Sequence, residues 1–288
     1  MKTIDEARQL RLETDWDNLA IPVPWFLGRR FARPSVETLA SRLAPNATDD
    51  SGLAGTIARL AEPGLLKPQA VYGFWPANAD GDTVLVYKDD ARASRLVELQ
   101  MLRQQGPAAD SHPRLSLADF VAPRESCAPD YIAACAISLG QRSDLESQLA
   151  HSLQDQQALR AATATLSAAF VEYVLQQIGE DWGFAGVAGE RPAPRLGLRV
   201  SFGDAEAPDR AGVETLIRLL HADEIGIMVD EAFELRPQGS VVSLCFAHPA
   251  VQRFDIGAIG TDQLADYAAR RGEAAAAVAR RLPVRDAD

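Results

Sequence analysis

Short β-prone runs bounded by turn signals, interleaved with amphipathic helical stretches, predict an α/β protein of the α+β type. In this class an antiparallel or mixed sheet carries helices packed against it. Three observations lead there. Residues 70–76 (AVYGFWP) and 83–87 (TVLVY) flank Asn78-Ala79-Asp80-Gly81-Asp82, a turn signal, and so read as a β-hairpin. Residues 131–139 (YIAACAISL) are apolar nearly throughout, as a central strand buried on both faces must be. Residues 144–178 repeat apolar side chains every three or four positions (Leu159, Ala162, Leu166, Ala169, Phe170, Tyr173, Val174), the pattern of a long helix. Hairpin-like pairs outnumber βαβ crossovers, which favours antiparallel pairing.

The remaining elements follow in chain order. The charged, amphipathic N-terminus predicts a helix, and the alternate prolines of Ile21-Pro22-Val23-Pro24-Trp25-Phe26 predict an extended segment after it. Residues 1–30 thus form an N-terminal helix and arm, and residues 31–288 one domain. A helix starts at Ser35, just after Pro34, and another ends at Pro63-Gly64 beyond the polar loop 45–52. A helix is predicted around 94–105. Residues 179–210 are irregular, punctuated by Gly183, Gly186, Gly189, Pro192, Pro194, Gly197 and Gly203. A helix at 213–221, a β pair from 240–246 and 253–259, and helices at 261–271 and 273–282 complete the chain.

Composition narrows function by exclusion. The 288 residues hold 29 Lys and Arg against 40 Asp and Glu, a net charge of −11, with no basic block. That balance predicts no nucleic-acid or anionic-membrane partner, because phosphates reward clustered cations. The longest apolar runs fall short of the roughly 20 residues of a membrane span, and the N-terminus lacks the apolar core of a secretory signal. Cys127, Cys135 and Cys245 form no CxxC pair and read as reduced thiols, so a cytoplasmic protein is expected.

The residues alone offer little chemistry. His112, His151, His221 and His248 share no ligand-like spacing, and no P-loop, G-x-S-x-G or G-x-G-x-x-G motif is present. His248 precedes Pro249 at a strand end, where a turn role fits. Asp130, Asp155 and Glu172 read as solvated or capping carboxylates. The leading ligand loop is Gly197-Leu198-Arg199-Val200-Ser201-Phe202-Gly203-Asp204. A planar, permanently charged guanidinium beside glycine backbone suits a carboxylate or another anion. A surface turn with an Arg–Asp pair accounts for the same pattern.

Several stretches resemble, in order and spacing, the C-terminal activation domain of cobalamin-dependent methionine synthase. They are Phe74-Trp75-Pro76-Ala77-Asn78, Leu102-Arg103-Gln104-Gln105, Leu117-Ala118-Asp119-Phe120-Val121-Ala122-Pro123 and Asp130-Tyr131-Ile132. Ala169-Phe170-Val171-Glu172-Tyr173, Trp182-Gly183-Phe184, Gly239-Ser240-Val241-Val242-Ser243, Phe246-Ala247-His248-Pro249 and Asp266-Tyr267-Ala268-Ala269-Arg270-Arg271-Gly272 follow. The resemblance runs from about Asp15 to the C-terminus. It implies a single domain with a twisted, largely antiparallel sheet flanked by helices that binds S-adenosylmethionine. It further implies a stand-alone component of a split methionine synthase, supporting reductive methylation of cob(II)alamin on a cobalamin-binding methyltransferase subunit, with a flavodoxin-like reductase as electron source. Corrinoid demethylases are an alternative client.

Carried over residue by residue, the family's donor loop G-[IL]-R-x-x-x-G falls on Gly197-Leu198-Arg199 and Gly203. The resemblance thus implies that Arg199 faces the methionyl carboxylate, with Ser201 and Gly203 supplying loop polarity and backbone access. Arg191-Pro192-Ala193-Pro194 ranks second for this loop. Asp204 replaces a family aromatic, and Cys245-Phe246 stands where the family carries Tyr-Phe on the adenosine side. Family acids fall on Ala44 and Ala168. Each lost contact to the donor's ammonium costs about 1.5–3 kcal/mol. Asp204 is a candidate replacement charge. A second reading is therefore a docking or redox-gating module that kept the fold and lost the donor.

Overall fold

The computed structural model describes residues 1–43, 51–62, 64–106, 112–140, 149, 152–184 and 197–282. Helix α1 (Ile4–Gln9) opens behind a Thr3/Glu6 capping box. After the arm come β1 (Gly28–Ala32), α2 (Val36–Ala40) on its Ser35 cap, and α3 (Ser51–Leu60). Strands β2 (Gln69–Asp80), β3 (Thr83–Tyr87), β4 (Arg95–Gln100) and β5 (Tyr131–Ser138) precede the long helix α4 (Leu153–Trp182). Then follow β6 (Leu198–Val200), α5 (Val213–Leu220), the small hairpin β7 (Met228–Val229) and β8 (Leu235–Arg236), and β9 (Val241–Phe246). Helices α6 (Thr261–Arg271) and α7 (Ala275–Ala279) come last.

The main sheet runs β4-β3-β2-β5-β9-β6, with β1 also on β2, and its ladders are antiparallel. Strand β2 is long enough to serve two partners in succession: residues 70–74 pair with β1, and residues 77–80 with β3. Pro76 falls between those two stretches, which is how a central strand accommodates a residue without an N–H.

The two-residue period of the strands feeds two cores. On one face Tyr72, Phe74, Ala133, Cys135, Ile137 and Cys245 meet Leu166, Phe170, Val174, Ile178 and Trp182 of α4, together with α2 and α3. On the other, Val71, Trp75, Ile132, Ala134, Ala136, Leu244 and Phe246 meet Val213, Leu216 and Leu220 of α5. Helix α4 matches a membrane span in length and composition, but its apolar stripe lies against the sheet, as in a core helix.

A third, smaller cluster joins Leu102 to Ile256, Ile259, Leu264, Tyr267 and Val278 of the C-terminal part. Polar contacts tie it down. Gln263 accepts from the Arg103 N–H at 2.7 Å, and its amide donates to the Arg103 carbonyl at 2.9 Å. The Arg103 guanidinium is 1% exposed and bridges Asp82 and Asp119. The Leu102–Gln105 and Leu117–Pro123 motifs are thus two halves of one buried ionic joint.

Four local expectations are corrected. Residues 95–100 form strand β4, not a helix; its Val97 and Leu99 pair with Val86 and Val84, and sheet pairing overrides a spacing that suits either structure. Residues 253–259 form no strand, because both edges of β9 are taken by β5 and β6. The hairpin turn contracts to Gly81-Asp82, with β2 continuing through Asn78 and Ala79 to Asp80. Asp130 is not solvated: it is 2% exposed and accepts from the N–H groups of Ala122 and Tyr131 at 2.9 and 2.7 Å.

Candidate functional site

The site is built where β6 leaves the sheet. Gly197 immediately precedes β6 and lies against the Phe246 and His248 carbonyls and the Val251 side chain, with no room for a Cβ. A glycine there lets the strand dock, and two residues later the ladder sets Arg199 opposite Cys245. Beyond Val200 the chain turns. Gly203 has φ +107°, a conformation other residues rarely adopt, and its N–H donates to the Ala207 carbonyl at 2.7 Å. The Phe202 ring packs over Gly212, which also has no space for a Cβ.

Arg199 is half-buried and faces the α4 side of the sheet. Its Nη1 donates to the Ser243 hydroxyl at 2.9 Å and the Ser201 hydroxyl at 3.2 Å, and those two oxygens lie 2.8 Å apart. Among the described residues no carboxylate pairs with Arg199, and its Nε and Nη2 donate to none of them. A guanidinium braced at one nitrogen and open at the others is prepared for an anion, above all a carboxylate that can take two parallel hydrogen bonds.

Asp204 lies elsewhere. Its carboxylate accepts from the Ser201 N–H at 2.8 Å and from Arg253 at 3.4 Å. Arg253 also reaches Glu206 and donates to the Arg199 carbonyl at 3.0 Å, bracing the loop from outside. The surface-turn alternative with an Arg199–Asp204 pair is therefore not what forms, and Asp204 is already engaged with the loop's own groups.

A cleft of about 340 Å³ opens beside the loop. Ser201, Gly203 and Asp204 line it from one side, Arg210 and Val213 from the base of α5, and Gly239, Ser240 and Val242 from the start of β9. The Ser167 hydroxyl of α4 donates to the Gly239 carbonyl at 2.9 Å and fixes that corner.

Cys245 and Phe246 are both buried, on opposite faces: Cys245 under Arg199 in the α4 core, Phe246 in the α5 core. Neither lines the cleft. Cys245 shares a hydrogen bond with Cys135, which holds the Cys135 thiol below and the Cys245 thiol above its ordinary range; the Arg199 charge favours the thiolate at both. All three cysteines are free thiols. His248 serves its turn, its Nδ1 accepting from the Ala250 N–H at 3.1 Å, and burial lowers its pKa. Its Nε2 lies 3.2 Å from the Thr14 hydroxyl of the N-terminal arm.

Ala168 is exposed on α4. Ala44, His151 and the alternative loop Arg191-Pro192-Ala193-Pro194 lie outside the described residues. Sequence reasoning missed Ser243. Its signal was a hydroxyl inside the otherwise apolar run VVSLCF, which must find a partner when buried.

With this geometry in place, similarity decides the family. A family model for the vitamin B12 dependent methionine synthase activation domain matches residues 24–272. The chain belongs to that family. A crystal structure of the MetH reactivation domain bound to AdoHcy matches it with a TM-score of 0.88 and 28% sequence identity, covering 100% of this chain and 99% of that one. The activation-domain family thus accounts for the mostly antiparallel, helix-flanked sheet, and the likeness supports a reactivation role.

Proposed function

We propose that this activation domain binds S-adenosylmethionine with its carboxylate on Arg199 and supports reductive methylation of cob(II)alamin carried by a partner methyltransferase subunit, with a flavodoxin-like reductase supplying the electron. The observation that carries this reading is the Arg199 guanidinium, held at Nη1 by two serines and unpaired with any described carboxylate. The likeness to a reactivation domain with bound AdoHcy supports it.

The residues present fit the carboxylate end of such a ligand. Arg199 would bind it, and Ser201 and the Gly203 backbone, which line the neighbouring cleft as Arg199 does not, would border it. The donor supplies an electrophilic sulfonium methyl group, and the corrin chemistry belongs to the partner's cofactor. The work left to this chain is to hold the donor in one orientation and to present it to the partner.

A second reading is a docking or redox-gating module without donor. It draws on the uncharged Ala168 and on Asp204, whose carboxylate is already engaged by Ser201 and Arg253 and so offers little to a ligand ammonium. Calorimetric titration with S-adenosylmethionine and S-adenosylhomocysteine separates the two. Micromolar binding is expected; no heat up to millimolar ligand leaves the docking module. Following the cob(II)alamin spectrum of a methionine synthase cobalamin module, with reductant, donor and this protein, then tests the reactivation step.

A further inference from the structure

We propose that Ser243 is a positioning residue of this site: its buried hydroxyl fixes the Arg199 guanidinium and turns the Ser201 hydroxyl proton toward the ligand's carboxylate. This rests on the reading of Arg199 as the carboxylate-binding group.

The argument is an accounting of protons. Arg199 Nη1 has two N–H groups, and they go to Ser243 Oγ and Ser201 Oγ at 2.9 and 3.2 Å. The two hydroxyl oxygens are 2.8 Å apart, so one serine donates to the other. Ser243 is 0% exposed, whereas Ser201 is half-buried and lines the cleft. A buried hydroxyl that kept its proton unpaired would be penalised, while one at a cleft can offer it to solvent or ligand. Ser243 is therefore the donor to Ser201. Ser201, with both lone pairs taken by Arg199 and Ser243, directs its own O–H outward.

The backbone makes this arrangement unavoidable. Val200 pairs with Leu244, so the next step past β6 sets Ser201 across from Ser243. On the other side of β9, Ser243 pairs with Cys135 and is enclosed by the sheet. Its hydroxyl cannot swing away to water. The result is a cluster in which, among the described residues, Arg199 Nε and Nη2 and the Ser201 O–H are the donors left for an incoming anion. Ser243 touches no ligand and acts only through its two neighbours.

The experiment compares S-adenosylhomocysteine with 5′-methylthioadenosine, which keeps the nucleoside and thioether but lacks the amino-acid end. Calorimetry would be run on the wild-type protein, Ser243→Ala, Ser201→Ala and the double variant, with thermal melting as a check of folding. Each single variant is expected to lose about ten-fold in affinity for S-adenosylhomocysteine and nothing for 5′-methylthioadenosine. The double variant is expected to be little worse than either single one, because the two hydroxyls act as a unit. Equal losses for both ligands, unchanged S-adenosylhomocysteine binding, or losses that add in the double variant would each overturn the proposal. Should Ser243→Ala not fold, Ser201→Ala alone must still separate the two ligands. A wild-type protein that binds no S-adenosylhomocysteine overturns the reading of Arg199 itself, and this proposal with it; binding that is indifferent to both serines overturns this proposal alone.

Discussion

Arg103 and Asp119 form a two-pronged ion pair, Nη1 to Oδ2 at 2.7 Å and Nη2 to Oδ1 at 2.6 Å, between side chains that are 1% and 3% exposed. Asp82 holds the same guanidinium at Nε. Removing one acid leaves a buried cation short of a partner. Asp119→Ala is expected to cost about 3–5 kcal/mol, read as a lowered urea midpoint with an unchanged slope. A loss under about 1 kcal/mol would mean that water reaches the joint.

Asp130 predicts an unusual pH dependence. Burial pushes its pKa up to about 7, against the opposing effect of the Ala122 and Tyr131 N–H groups and Arg92. The folded state therefore holds a proton that the unfolded state has already released, from the ordinary carboxylate range up to about 7. Stability from this group falls as pH rises through that window and levels off above it. Urea unfolding between pH 5 and about 8 should show the decline, and Asp130→Asn should flatten it. A stability rising with pH, equally in both proteins, would contradict the assignment.

Gly197 tests how finely β6 is seated. A Cβ there meets the Phe246 carbonyl, which is backbone and cannot yield. Gly197→Ala should lift β6 from β9 and displace Arg199, weakening S-adenosylhomocysteine binding by at least about ten-fold while the rest of the fold survives. Unaltered affinity would show that Arg199 does not depend on strand seating.

Arg199→Lys keeps the charge and removes the fork. An ammonium can satisfy the serines or a carboxylate, not both with planar geometry. The expected loss is about ten- to a hundred-fold for S-adenosylhomocysteine with little change in melting temperature. Arg199→Ala should abolish binding and leave the fold intact. Retained affinity in both variants would place the carboxylate elsewhere.

Elements with one dominant signal were legible in the sequence. Strand β5 announced itself because a strand covered on both faces has no polar side to show, and α4 because its apolar stripe recurs from Leu159 to Trp182. Strand β4 was not legible: Leu96, Leu99 and Leu102 are spaced as on a helix, yet Leu96 is 45% exposed and only a partner strand decides the matter. Residues 253–259 carry Phe254 and Ile256 like a strand, but those side chains anchor a loop, and the Ile256 N–H donates to the Ala205 carbonyl. The donor loop was legible at Gly197, Arg199 and Gly203, where backbone and charge leave a mark. The partnership of Ser201 with Ser243 was not, since it depends on a register 42 residues away in sequence.

Strand β5 has no open side: β2 and β9 take its two edges, and the α4 and α5 layers cover its two faces. An amide there can trade its hydrogen for solvent deuterium only when both ladders and both layers part together. The exchange half-lives along β5 therefore act as a clock for opening of the whole domain. Strand β4, with one edge free of any described ladder, keeps only the faster local time of fraying.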